Sequence, residues 1–391
     1  MKPTNRAFAL LVLLMVPFLS PAAQEQNAQS SAGKYFLYVG TYTAKTTSKG
    51  IYAYAFEPAT GKLTEAGVAA ETPDPSFLVV HPNGKYLYSV NEGPVTDGAK
   101  HGAVTAFSID KANGKLTQLN QVSSLGADPC FISLDKTGKY LLVANYTSGS
   151  VAVFPILEDG RIGEATTNVQ HRGTTGPKKD RQEGPHAHWI ETTADNRFAI
   201  AVDLGLDEVL VDRFDASKGM LTPNDPPFVK IKAGSGPRHL VFSANDKYAY
   251  VASELASTVT ALKFDARKGT FKEFQTLPTL PPGFTGRNDV AEIALHATGK
   301  VLYVSNRGND SLAMYDVAEN GTLTPRGGIS TGGKEPRHFT FDPTGRYLFA
   351  ENQLSDEIDV FRVDPATGAP SSDAQTIKVP SPVCVVFVPS E

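Results

Sequence analysis

Short runs of alternating apolar and polar residues, broken by Gly, Pro, Asp and Asn, are the dominant pattern along this chain. A basic residue followed by an aromatic or apolar run recurs seven times: GKYFLYVG from Gly33, GKYLYSVN from Gly84, GKYLLVAN from Gly138, NRFAIAVD from Asn196, DKYAYVAS from Asp246, GKVLYVSN from Gly299 and GRYLFAEN from Gly345. Between Lys34, Lys85, Lys139, Arg197, Lys247, Lys300 and Arg346 the spacings are 51, 54, 58, 50, 53 and 46 residues. A fixed period of this size signals a repeat architecture. A second series runs beside the first: EPATGKL at 57, DKANGKL at 110, DASKGML at 215, DARKGTF at 265, ENGTL at 319 and DPATGAP at 364, with EDGRIG at 158 a looser member. An acidic residue and a glycine between alternating runs is hairpin chemistry, because Gly supplies a positive φ without steric cost.

Each unit therefore reads as four short strands. Strand A is a run such as PSFLVVHP at 75–82, strand B is the GKYLY run, strand C alternates as in GIYAYAFE at 50–57, and strand D follows the acidic-Gly turn. No segment after the N-terminal region keeps a helical period beyond two turns. Seven units of four strands without helices predict an all-β, seven-bladed β-propeller. The C-terminal PSPVCVVFVPS is a strand A with no strand B after it, and the N-terminal KYFLYVG is a strand B with no strand A before it. One blade is thus predicted to draw on both ends of the chain, closing the ring and removing sheet edges. Residues 33–391 then form one domain.

The 391 residues are 41% hydrophobic and 20% charged with a formal net charge of −4, which permits a large core. There is no basic stripe of the kind phosphate tracking needs, which argues against nucleic-acid binding. MKPTNR, then AFALLVLLMVPFLS, then PAA has the three parts of a secretory signal peptide. Residues 1–23 are expected to be removed, residues 24–32 to form a flexible leader, and the chain to be exported, periplasmic or secreted, without a membrane attachment after cleavage. Export permits a disulfide, but Cys130 and Cys384 fall in non-neighbouring blades and read as separate buried thiols.

The repeat supplies a common register. Nine residues before the basic residue of strand B lies the start of strand A, which lines the central channel: Ser76, Cys130, His188, Arg238, Ala291, Arg337 and, from the closing strand, Val383. Seven residues after it lies the end of strand B: Thr41, Glu92, Tyr146, Leu204, Glu254, Arg307 and Gln353. Strands A and B are antiparallel neighbours, so both sets share one face of the disc. His188, Arg238, Arg307, Arg337, Glu92 and Glu254 meet there at the ends of otherwise apolar strands, where charge is costly unless paired or functional. Rim groups of a propeller can also simply satisfy one another, and Glu92 alone can cap a turn. The longer connections at 93–101, 171–185 and 281–290 open on the same face. The second carries Arg172, Lys178, Lys179 and Arg181, which makes it either a solvated loop or a lid that attracts an anion.

At these residues the chain resembles the lactonase-propeller family of 6-phosphogluconolactonases and carboxy-muconate cyclases. The resemblance runs over essentially the whole chain after the leader and is carried by YVGTYT at 38–43, HPNGKYLYSVNE at 81–92, PHAHW at 185–189, GPRHLVFSANDKYAYVASEL at 236–255, SNRG at 305–308 and EPRHFTFDPTGRYL at 335–348. It implies that the family's active-site His, Arg, Glu and second Arg fall on His188, Arg238, Glu254 and Arg307. His186 lies on the same strand face as His188 and could exchange roles with it, and the register sets Arg337 and Glu92 beside them as expected substrate-binding residues. Cytosolic sugar-phosphate metabolism and an export signal do not sit together, which places the phosphorylated substrate in question.

Lactone hydrolysis suits such a site. A histidine can take the proton of an attacking water, and arginines can hold an oxyanion or a substrate anion. Glu254 would orient His188 or an arginine. A G-x-S-x-G match around Ser330 lacks the strand-to-helix context of a nucleophile elbow. His186 and His188 have no third metal ligand, so no metal or cofactor is expected. The expected partner is a small-molecule lactone and the expected state a monomer. Two alternatives stand: an exported, non-catalytic propeller that binds a glycan or protein, and a muconate-type lactonising cyclase.

Overall fold

A computed structural model describes residues 33–93 and 101–390. The signal peptide read over 1–23, the leader at 24–32 and most of the 93–101 connection lie outside these residues. Seven four-stranded antiparallel sheets stand around a central channel. In every sheet the chain runs outward from the channel-lining strand to the rim, as expected for A, B, C and D. The closing blade pairs Pro382–Pro389 with Tyr35–Thr41, then Gly50–Glu57 and Lys62–Glu71. Its register sets Tyr35 opposite Pro389 and Gly40 opposite Cys384. Among the described residues no helix is long and apolar enough to cross a membrane. Cys130 and Cys384 are both free and buried.

The two repeat series turn out to meet each other between blades. The glycine of each C–D turn lies against the residue that follows the basic residue of strand B in the preceding blade, or its neighbour: Gly160 on Tyr86, Gly219 on Tyr140, Gly269 on Phe198, Gly321 on Tyr248, and Gly61 on Tyr347 across the ring closure. A second aromatic fastens some of these joints. The hydroxyls of Tyr88 and Tyr250, both fully buried, donate to the carbonyls of Gly160 and Gly321 at 3.0 and 3.1 Å. Recurrence of both motifs therefore reflects one packing contact repeated around the ring.

The channel-lining strands share one irregularity that decides where side chains point. Pairing with strand B slips by one residue at Cys130, His188, Arg238 and Arg337, and at Val383 in the closing strand. In the blade of Asp289–Leu295 it skips both Ala291 and Glu292. These are the strand A positions of the common register. A β-bulge bends its strand and re-aims a side chain, and bulges gather beside functional sites.

Candidate active site

The bulges bring a buried ion cluster to one mouth of the channel. Arg238, at its bulge, and Glu254, just past the end of the neighbouring strand Tyr248–Ser253, are 3% and 4% exposed. Glu254 Oε2 lies 3.2 Å from Arg238 Nε and 3.0 Å from Arg307 Nη2, and Oε1 accepts from Arg181 Nη2. Arg307 also donates to the Val290 carbonyl at 3.3 Å, and Arg181 reaches Asp289 at 3.7 Å. Burial pushes the Glu254 carboxyl up, but Arg307, Arg238 and Arg181 outweigh it and bring it down to about 2. Glu254 is therefore a fixed anion that aligns guanidiniums. Of the two orientations open to it from the sequence, toward His188 or toward an arginine, the geometry realises the second.

His188 stands beside this cluster. Its Nδ1 is 3.6 Å from Cys130 Sγ, and its ring meets Tyr146 and His239 edge to face at 5.5 and 5.1 Å. Burial, and then the positive charge of Arg238, holds its pKa well below the ordinary histidine value. The ring is thus neutral at neutral pH and keeps a lone pair. His186 is held differently. It stacks on Tyr146 at 4.5 Å, its Nδ1 lies 3.1 Å from the Tyr146 carbonyl and its Nε2 3.1 Å from Glu183. Its Nδ1 thus has a backbone acceptor, while Nε2, though near Glu183, makes no hydrogen bond among the described residues.

Across the mouth, Glu92 Oε2 accepts from Tyr42 Oη at 2.7 Å and from Ser76 Oγ at 2.6 Å. Burial raises the Glu92 carboxyl despite the nearby Arg337. Arg337 lies over the Tyr42 ring at 5.3 Å. Arg181, Arg238 and Arg307 all pair with Glu254, whereas among the described residues Arg337 has no carboxylate within 4.0 Å. Arg337 and Arg238 line a cavity with Glu92, Ser76, Tyr42 and Cys130, with room for about one water. The structure thus joins Arg238, Glu254 and Arg307 directly, sets His188 beside them, and places Arg337 and Glu92 opposite.

Several residues here were not legible from the repeat. Arg181 sits in the 171–185 connection, whose irregular path has no register. That connection is tied down by Gln182, whose side chain donates to the Leu204 carbonyl at 2.8 Å, and by Lys178 on the Leu255 carbonyl. Deeper in the channel, His239, Glu292, His338 and Glu351 form a buried network. His239 and His338 are the last residues of the two PRH triplets, one place past the register position. Ser330 of the G-x-S-x-G match ends an outer strand away from the mouth.

With the fold and mouth in place, the comparisons with known proteins are specific. The family model described as "Lactonase, 7-bladed beta-propeller" matches residues 36–387, and the chain belongs to that family. It is 38% identical over 356 residues to the 6-phosphogluconolactonase of Bacillus subtilis, covering 91% of this chain and 99% of that one. A 6-phosphogluconolactonase of Formosa agariphila is 35% identical over 346 residues, covering 85% of this chain and 93% of that one. Among solved structures, a periplasmic gluconolactonase of Pseudomonas aeruginosa superposes with a TM-score of 0.85 at 36% identity, covering 92% of this chain and all of the other.

Proposed function

We propose that the chain hydrolyses a sugar-type lactone of the gluconolactone and 6-phosphogluconolactone class, with His188 as base and the arginines of the mouth as charge stabilisers. The observation that carries this reading is the juxtaposition of a neutral, buried His188 with Arg238 and Arg307, both fixed by an ionised Glu254. A water attacks the lactone carbonyl carbon as His188 takes its proton. The negative charge on the carbonyl oxygen is met by guanidinium donors already held in place, which cost no reorganisation during the reaction. Collapse of the tetrahedral intermediate breaks the ring C–O bond, and the departing alkoxide takes the proton from His188, leaving the hydroxy acid. A strained lactone ester needs no covalent nucleophile. Arg337, with no carboxylate within 4.0 Å among the described residues, is the guanidinium left to the substrate, as oxyanion donor or as partner of an anionic substituent.

Export of the chain as a monomer is part of the same proposal. It is supported by the apolar segment after MKPTNR and by the likeness to a periplasmic gluconolactonase. The test is a panel of gluconolactone, its 6-phosphate, other sugar lactones and muconolactones in ¹⁸O-water. Hydrolysis should put one label into the product carboxylate of a sugar lactone. Arg337→Met should raise KM more for the phosphorylated lactone if its guanidinium holds the phosphate, and equally for both if it serves the carbonyl oxygen. Turnover of muconolactones alone would favour a lactonising cyclase, and no turnover with a tight glycan or protein ligand would favour a binding platform.

A further inference from the structure

Below the mouth a chain of polar side chains runs through the channel, with Phe77 packed on both of its histidines, His239 and His338, and Phe131 on His239. Arg238 Nη1 lies 3.3 Å from His239 Nε2. His239 Nδ1 lies 3.0 Å from Glu292 Oε2 and 3.2 Å from Oε1. His338 Nε2 is 3.7 Å from the same Glu292 oxygen, and its Nδ1 is 2.8 Å from Glu351 Oε2. All four of these titratable residues are buried. Four such groups, joined to the site through His239, are expensive to bury unless they serve it.

Proton directions along the chain follow from chemistry. A guanidinium has only donors, so at the Arg238 contact His239 Nε2 must be the acceptor. The proton of a neutral His239 then lies on Nδ1, facing Glu292. We infer that His239 is a positioning residue for Arg238: Glu292 fixes it as the Nδ1–H tautomer, and its Nε2 lone pair holds the Arg238 guanidinium toward the mouth. The consequence for turnover rests on the lactonase reading, whereas the tautomer does not.

The charges around His239 agree with this. On its own strand it faces Arg238. From neighbouring strands it faces Glu292, His338 and His188, with Phe77 and Phe131 edge to face at 6.1 and 5.2 Å. Burial lowers its pKa and Arg238 lowers it further, while Glu292 opposes them, and the balance is about 4. Glu292 is pushed up by burial and pulled down by His239 and then His338, to about 2. His338 is lowered by burial but raised overall by Glu351 and Glu292. The carboxylate beneath His239 is thus ionised wherever His239 is neutral, and the acceptor role persists from neutral pH down to about 4.

Two measurements decide the inference. A long-range ¹H–¹⁵N spectrum of histidine-labelled wild type at pH 7 should show His239 protonated on Nδ1 alone, turning to imidazolium only near pH 4. Kinetics of two variants supply the second readout. His239→Leu should lower kcat/KM by about tenfold or more through a misplaced Arg238. His239→Gln, whose amide can accept from Arg238 and donate to Glu292, should stay within roughly threefold of wild type. An Nε2–H or imidazolium His239 at pH 7, or wild-type kinetics in His239→Leu, overturns the inference. Absence of lactonase activity in wild type overturns the functional reading instead, and the spectrum then decides the tautomer by itself.

Discussion

A single buried carboxylate, Glu254, gathers two buried guanidiniums, Arg238 and Arg307, and the partly exposed Arg181. Removing one member of such a group leaves the others uncompensated, at a cost of about 3–5 kcal/mol. Glu254→Gln is therefore expected to lower Tm at neutral pH as well as activity. The pH dependence has a definite sign. Glu254 and Glu292 are both depressed to about 2 from an ordinary 4.5. Between those values the unfolded chain binds more protons than the folded one, so their stabilisation is complete above about pH 4.5 and is lost as pH falls toward 2. For Glu254, whose partners stay charged throughout, the contribution is on the order of 3 kcal/mol. Calorimetric melts from pH 7 to pH 2 should show a steep acid fall in wild type and a shallower one, from a lower start, in Glu254→Gln. Superimposable curves would contradict the charge assignment.

At the scale of the element, the same short motifs set both the blade joints and the site. Gly321 has a φ of +78°, and a Cβ there would lie 2.4 Å from the Tyr248 ring. Gly321→Ala must strain the turn and push on the neighbouring blade, and a loss of about 1–3 kcal/mol is expected from thermal or urea unfolding. A Tm equal to wild type would show that the turn glycines do not lock the blades. What the sequence could reveal follows the same division. The basic-aromatic and acidic-Gly series are readable because each blade makes the same contact. The site positions at the starts of strand A are readable because the repeat puts them in one register. The bulges that aim them are not visible in a comparison of repeats, since each of these blades carries the same extra residue at the same register position. Arg181 lies in a connection unique to its blade, so no comparison among repeats reaches it. His239 stands one place past the register position, where pleat alone would turn it away from the mouth, and only the bulge at Arg238 brings the two together.

Over the whole molecule, ring closure joins Tyr35–Thr41 to Pro382–Pro389 and so makes every blade dependent on the next. A closed disc offers two mouths. One collects His188, Arg238, Glu254, Arg307 and Arg337. The other opens on a vestibule where Phe131, Trp189, Leu240 and Phe242 stand beside Lys136, Glu191 and Asp246, with Glu292 between the two mouths. The clustered guanidiniums distinguish the first mouth, and there His188 combines a neutral ring with proximity to Arg238, whereas the neutral His239 has its Nε2 against the Arg238 guanidinium. The most direct test is the steady-state kinetics of His188→Ala on the lactone that wild type hydrolyses best, with Tm measured alongside. The account predicts a fall in kcat of roughly 100-fold or more, the scale of losing a general base, with the fold intact. Wild-type kcat in the folded variant would contradict it.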